Sequence, residues 1–207
     1  MDVKNQTLLI ESQYFPSVNF YQALAGYENL LIEKFEHYQK VSYRNRCYLA
    51  GPNGRMILSV PLTKGKNQRT VMKDVRISNE EKWQSLHWKT LVSAYRRSPW
   101  FEYYEPELEA LYEKPFEYLL DWNMACMEWA NNKLGLSQTI TFTDGYEKTV
   151  SGVDDMRDKL VPGIVPEDSP VYTQVFEDRT GFLRGMSILD LLFCEGKQAA
   201  EIISQAK

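Results

Sequence analysis

Ser42-Tyr43-Arg44-Asn45-Arg46-Cys47 sets two guanidiniums two residues apart. On an extended strand alternate side chains share a face, which puts Arg44 and Arg46 together and Tyr43, Asn45 and Cys47 opposite. Two such forks side by side suit a phosphate or a carboxylate, because each can make two charge-assisted hydrogen bonds. Solvated arginines paired with nearby acids are the competing reading. Downstream, Lys64, Lys66, Arg69, Lys73 and Arg76 stand against a single acid, Asp74. The whole chain carries a formal net charge of -4, so this stretch is a local positive excursion that would concentrate anionic ligands. Gly65 lets it deform as a closing flap would. The glycine count and strand-helix context of a phosphate-binding P-loop are missing.

Only two histidines occur, His37 and His87. His87 sits within an apolar stripe at helical spacing. Its side chain titrates nearest neutrality, so it is the natural general acid or base; a packed imidazole bonded to backbone is the alternative. His37 follows a predicted parallel strand, on the side where such sheets bind ligands, and otherwise reads as an exposed loop residue. Cys47 beside Arg46 is a weak nucleophile candidate, and Cys126 and Cys194 read as packing. Three scattered cysteines and two histidines offer no metal-ligand spacing, so no metal site and no cofactor are expected. Trp100-Phe101-Glu102-Tyr103-Tyr104 reads as core or as a stacking wall for a sugar. Asp144, Glu147, Asp154 and Asp155 supply carboxylates without a spacing that specifies a pair.

The elements that must position these residues follow from periodicity. Thr7-Leu8-Leu9-Ile10 is a buried strand ending at Glu11. Pro16 breaks the pattern, Ser17 caps a helix over Phe20, Tyr21, Leu24 and Ala25, and Gly26 ends it. Asn29–Glu33 is a second strand, so the start reads as a parallel strand-helix-strand crossover. Residues 41–49 and 56–62 flank Gly51-Pro52-Asn53-Gly54 and predict a hairpin; residues 63–70 form a loop and 71–77 a third, half-exposed strand. Ser78 and Glu81 predict a capping box for a helix running to Arg97. Two more helices follow, over residues 105–112 and from Pro115 to Lys133. Thr139–Thr143 is a strand by β-branching. A short helix is expected at 154–160, a last strand at 171–176, and a helix capped by Ser187.

Together these predict an α/β fold in a single domain, residues 1–207: a mixed sheet with an N-terminal crossover, a β-hairpin region and a helical block. A chain of 207 residues with 43% apolar and 25% charged residues can bury a core without metal or disulfide. An odd cysteine count at wide spacing, no signal-like N-terminus and no membrane-length apolar run point to a soluble protein of the cytoplasm, with no membrane insertion. The short basic region, outside any recognised module, argues against nucleic-acid binding.

These residues carry a resemblance. Tyr14-Phe15-Pro16 after the first strand, Tyr43-Arg44-Asn45-Arg46, Ser59-Val60-Pro61 and His87 in its Trp-rich helix are similar, in order and spacing, to the WbqC-like protein family of bacteria. So are Tyr95–Phe101, Tyr172–Phe176 and Ser187–Leu192. The chain resembles most the compact Bacteroidetes-type members; many other relatives carry Gln-Pro where Glu11-Ser12 stand here. The resemblance implies a cytoplasmic transferase-type enzyme linked to surface-polysaccharide (O-antigen) biosynthesis, acting on a small anionic activated substrate such as a sugar nucleotide. The expected site combines Arg44, Arg46, Lys64 and Lys66 on the anionic group, Asn45 and Tyr14 on the substrate, and His87 as general base. The competing reading is a non-catalytic module that binds an anionic ligand or a partner protein. The two part on whether His87 faces a cleft within reach of the arginines.

Overall fold

A computed structural model describes residues 6–63 and 69–205. Lys64 and Lys66 lie outside the described residues. Strand β1 (Thr7–Glu11) is buried almost throughout, as a strand covered on both faces must be. Its partners are β2 (Asn29–Glu33) on one side and the two-residue β6 (Asp154–Asp155) on the other, both parallel. Strand β5 (Thr139–Phe142) extends the sheet beyond β2, also in parallel, giving the order β5-β2-β1-β6.

Helix α1 (Val18–Leu24) bridges β1 and β2. Its cap is Ser17, whose hydroxyl oxygen accepts from Phe20 N at 3.2 Å, and Gly26 follows at φ 91°. The start of α1 is stitched to the start of α6 (Ile188–Glu195). Val18 N donates to Met186 O, Ile188 N donates to Pro16 O, and the Ser187 hydroxyl donates to Phe15 O.

Strands β3 (Arg46–Gly51) and β4 (Gly54–Ser59) form a separate antiparallel hairpin. The sequence expectation of one mixed sheet therefore resolves into a purely parallel sheet plus this hairpin. The helical block is α2 (Trp83–Tyr95), α3 (Phe101–Glu113) and α4 (Leu119–Leu134). Trp122 of α4 is fully buried and packs its ring against Tyr14, Phe15, Trp83, Tyr112 and Phe116. Short helices α5 (Glu177–Thr180) and α7 (Ala199–Gln205) complete the described chain.

Four local expectations fail for identifiable reasons. Residues 71–77 are not a strand, because their backbone bridges three separate partners, His37, Tyr118 and Leu62, around a 3-10 turn at Met72–Asp74. Residues 171–176 are held by side chains instead of a ladder: Tyr172 and Gln174 both donate to the buried Asp190 carboxylate, at 2.7 Å each. Asp154–Asp155 pair with β1 and do not start a helix. No capping box forms at Ser78. Helix α2 begins after Lys82, and Asn79 instead accepts from the Trp83 indole N–H at 3.1 Å.

Candidate functional site

The chain steps outward from β1 to β2 to β5, then returns to place β6 on the other flank of β1. The order reverses between β1 and β6, and in open parallel sheets ligands bind at the carboxyl ends of the strands beside such a reversal. Here three of the four strands of the sheet end in an acid: Glu11 ends β1, Glu33 ends β2 and Asp155 ends β6. Glu36 and Asp158 lie just beyond.

Two guanidiniums hold this group of carboxylates. Arg44 is 2% exposed and grips Glu36 with both arms, Nε to Oε1 at 2.7 Å and Nη2 to Oε2 at 2.5 Å. Its Nη2 also donates to Asp158 Oδ1 at 2.8 Å. Arg157 donates to Glu33 Oε2 at 2.9 Å and forks onto Asp155. Asp158 sits in the left-handed region at φ 60°, a conformation Asp tolerates better than most residues. In that pose its N–H donates to Glu11 Oε2 at 3.0 Å, while Gln13 Nε2 donates to Glu11 Oε1 at 3.2 Å.

The charges do not balance around Arg44, because Glu11, Glu36 and Asp158 share one cation. Burial pushes the Glu36 carboxyl up to about 7; Arg44 opposes the rise, and Glu11 and Asp158 add to it. Burial also raises Glu11. Loss of hydration disfavours the charged form, and neighbouring like charges add to that cost. Glu36 is thereby brought to titrate close to neutral pH. Arg157 does the opposite to Asp155, holding it below its ordinary value through hydrogen bonds.

A cleft of about 560 Å3 opens onto this edge. Glu36, Arg157 and Asp158 line it together with Phe35, His37, Tyr38 and Tyr146. Asp158 is 51% exposed there, so it joins the buried carboxylates to the open space. Flat rings beside carboxylates and a guanidinium suit a polyhydroxylated ligand, stacking on one face and hydrogen-bonding at the edges.

The residues anticipated from sequence occupy other positions. Arg44 precedes β3 and so shares no strand face with Arg46; two acids occupy its guanidinium. Asn45 is a brace, accepting from the Tyr38 hydroxyl at 2.8 Å and donating to Val60 O at 3.0 Å. Arg46 has no acid partner among the described residues, and its Nε–H is enclosed without an acceptor. Both Arg44 and Arg46 act electrostatically on Tyr38, which lines the cleft.

His87 is 4% exposed and lies between the rings of Tyr14 and Trp83. Its Nδ1 is 3.0 Å from the Tyr14 hydroxyl, which is 2.7 Å from the Tyr112 hydroxyl. Burial lowers its pKa to about 4, opposed by a hydrogen bond with the Ser59 backbone. No hydrogen bond joins the imidazole to Arg44 or Arg46, and none of Tyr14, Arg44, Asn45, Arg46 and His87 lines the cleft. Cys47 is fully buried, and burial pushes its thiol up to about 12.

Sequence reasoning missed Glu11, Glu33, Glu36 and Asp158. The available signal was positional: an acid closing each apolar strand, on the side where a parallel sheet takes its ligand. His37, singled out for that reason, does line the cleft.

Fold and site together define an α/β protein with a parallel, order-reversing sheet and an acid-rich cleft at its carboxyl edge. Among the described residues no helix is long and apolar enough to cross a membrane, and no group of three or more His, Cys, Asp or Glu is arranged to hold a metal ion. The family model described as the WbqC-like protein family matches residues 11–161, well over half of the chain, and the chain belongs to that family. The matched span begins at Glu11 and closes just after Asp158. No curated protein and no solved structure matches the chain.

Proposed function

We propose that this protein is a cytoplasmic, transferase-type enzyme of surface-polysaccharide biosynthesis that modifies an activated sugar. The sugar occupies the sheet-edge cleft, against Tyr38 and Tyr146. Glu36 accepts the proton of an acceptor hydroxyl or amine as it attacks the sugar's activated carbon, whose bond to the phosphate breaks so that the nucleoside diphosphate leaves, with Asp158 as the exposed member of the same carboxylate group. Arg46, a guanidinium without an acid partner among the described residues, lies outside the cleft lining and draws the anionic part of the donor toward Tyr38 by its field. His87 holds Tyr14 and the helical block in place.

One observation carries this reading: a carboxyl with a pKa near 7 lines a cleft at the point where strand order reverses. A base works best when its pKa is close to the working pH, and displaced pKa values cluster at functional sites. The family's name supports the polysaccharide connection. A second reading, a module that binds the sugar without turning it over, is favoured by the enclosure of His87 and the double pairing of Arg44.

Titration with UDP-glucose, UDP-N-acetylglucosamine and GDP-mannose tests both. A ligand at 100 times its dissociation constant stabilises the fold by roughly 2.7 kcal/mol, which thermal unfolding resolves. Stabilisation that Arg46→Ala weakens, with turnover that Glu36→Gln abolishes, is the expected result. Binding without turnover against any acceptor sugar selects the module. Unchanged melting with every sugar nucleotide at millimolar concentration overturns both.

A further inference from the structure

A second cleft, of about 720 Å3, lies between the end of α2 and the 175–179 segment. Arg96, Arg97 and Arg179 line it against one acid, Asp178, with Val92, Val175 and Phe176 as the apolar wall. Phe176 also borders a neighbouring hollow that contains Met56 and Lys89. That neighbouring hollow includes Pro52 and Met56 at the turn end of the β3–β4 hairpin, and Arg46 begins the same hairpin roughly 17 Å away along the six-residue strand.

None of the three guanidiniums has a hydrogen bond or ion pair with any described residue. Arg96 and Arg97 follow the last turn of α2, where a cation offsets the carbonyl end of the helix. Arg179 stands in the last turn of the four-residue α5 and comes to the same cleft from that different segment. In a chain of net charge -4, cations arriving from two walls around an aromatic side chain form a distinct feature.

We propose that this cleft binds a nucleoside diphosphate, with the diphosphate on Arg96, Arg97 and Arg179 and the base against Phe176. Guanidinium forks match pairs of phosphate oxygens. An aromatic face accepts a nucleobase whatever its identity. The volume lies within the usual range of about 300–1,000 Å3 for small-molecule sites. The inference stands apart from the reading of the sheet-edge cleft.

Calorimetric titration with UDP, ADP, pyrophosphate and uridine tests it. UDP and ADP should bind saturably, pyrophosphate more weakly, and uridine not at all. The double variant Arg97→Ala/Arg179→Ala should bind UDP about 10- to 100-fold more weakly, as expected for lost charge-assisted hydrogen bonds. Phe176→Leu should reduce UDP binding to the level of pyrophosphate. Lys133→Ala, which removes a cation from α4 outside both clefts, should leave UDP binding unchanged. Absence of saturable UDP binding overturns the proposal, as does equal affinity in the double variant. So does an equal loss of binding in Lys133→Ala, which would make the effect one of overall charge. A poly-glutamate peptide binding as tightly as UDP would make the cleft a docking surface for protein instead.

Discussion

Replacing His87 by Gln tests the enclosed imidazole through its proton. In the folded chain His87 titrates near 4 because burial disfavours its charged form; unfolded, it titrates at its ordinary 6.5. Between these values the unfolded state binds a proton that the folded state does not, so stability rises with pH across the window. The cost begins as pH falls below 6.5 and is complete near 4. At 1.36 kcal/mol per pH unit the gap amounts to about 3 kcal/mol, or roughly 6–12 °C in Tm for a chain of this length. Glu36 works in the opposite sense over much of the same range, so the wild-type profile alone would partly conceal the effect. The difference between wild type and His87→Gln removes that background, because both proteins keep Glu36. Urea unfolding followed by tryptophan fluorescence, from about pH 7.5 to about pH 4, gives this difference directly. At the upper end the wild type should be the more stable. Its advantage should shrink by about 3 kcal/mol on acidification. Two curves that stay parallel, or diverge in acid, would refute the account of a neutral, desolvated imidazole.

Glu36→Gln should give the mirror-image difference. Its raised pKa contributes stability that is fully present below about 4.5 and lost as pH rises through about 7, so the variant should gain about 3 kcal/mol relative to wild type over that rise. Arg44→Met leaves Glu36, Glu11 and Asp158 without their shared cation and should cost about 3–5 kcal/mol at pH 7.5, with part of the loss recovered in acid; the same urea series measures it. Tyr14→Phe strips partners from both His87 and Tyr112 and should lower stability by about 1–3 kcal/mol, with a Tm equal to wild type as the contrary result. Gly196 has φ 57°, and a Cβ there would overlap the Trp100 indole, so Gly196→Ala should cost about 1–3 kcal/mol, read from the shift in urea midpoint.

Much of the fold was legible because its signals are local. An apolar run closed by an acid marked β1 and β2, Ser17 and Ser187 capped the predicted helices, and the Gly-Pro-Asn-Gly turn marked the hairpin. Segments that depend on distant partners were not legible. Residues 71–77 alternate like a strand yet divide their backbone among three neighbours, and β6 is two residues whose only strand credential is β1. The site failed for a related reason. Arg44 and Arg46 looked like a pair because sequence shows spacing, but the acids that claim Arg44 come from segments 8 and 114 residues away. The apolar stripe around His87 was a truthful sign of burial, and burial is what takes the imidazole out of reach of solvent.

The tie between Glu11 and Asp158 spans 147 residues, and this fixes an order of events during synthesis. At about 5–20 residues per second, the ribosome needs roughly 7–30 s after making the end of β1 to supply its last neighbour. Throughout that interval Glu33, which closes β2, lacks the Arg157 guanidinium that pairs with it in the finished fold. A nascent chain halted before β6 lacks that strand as well, so the ion cluster ties completion of the sheet edge to arrival of its final charge.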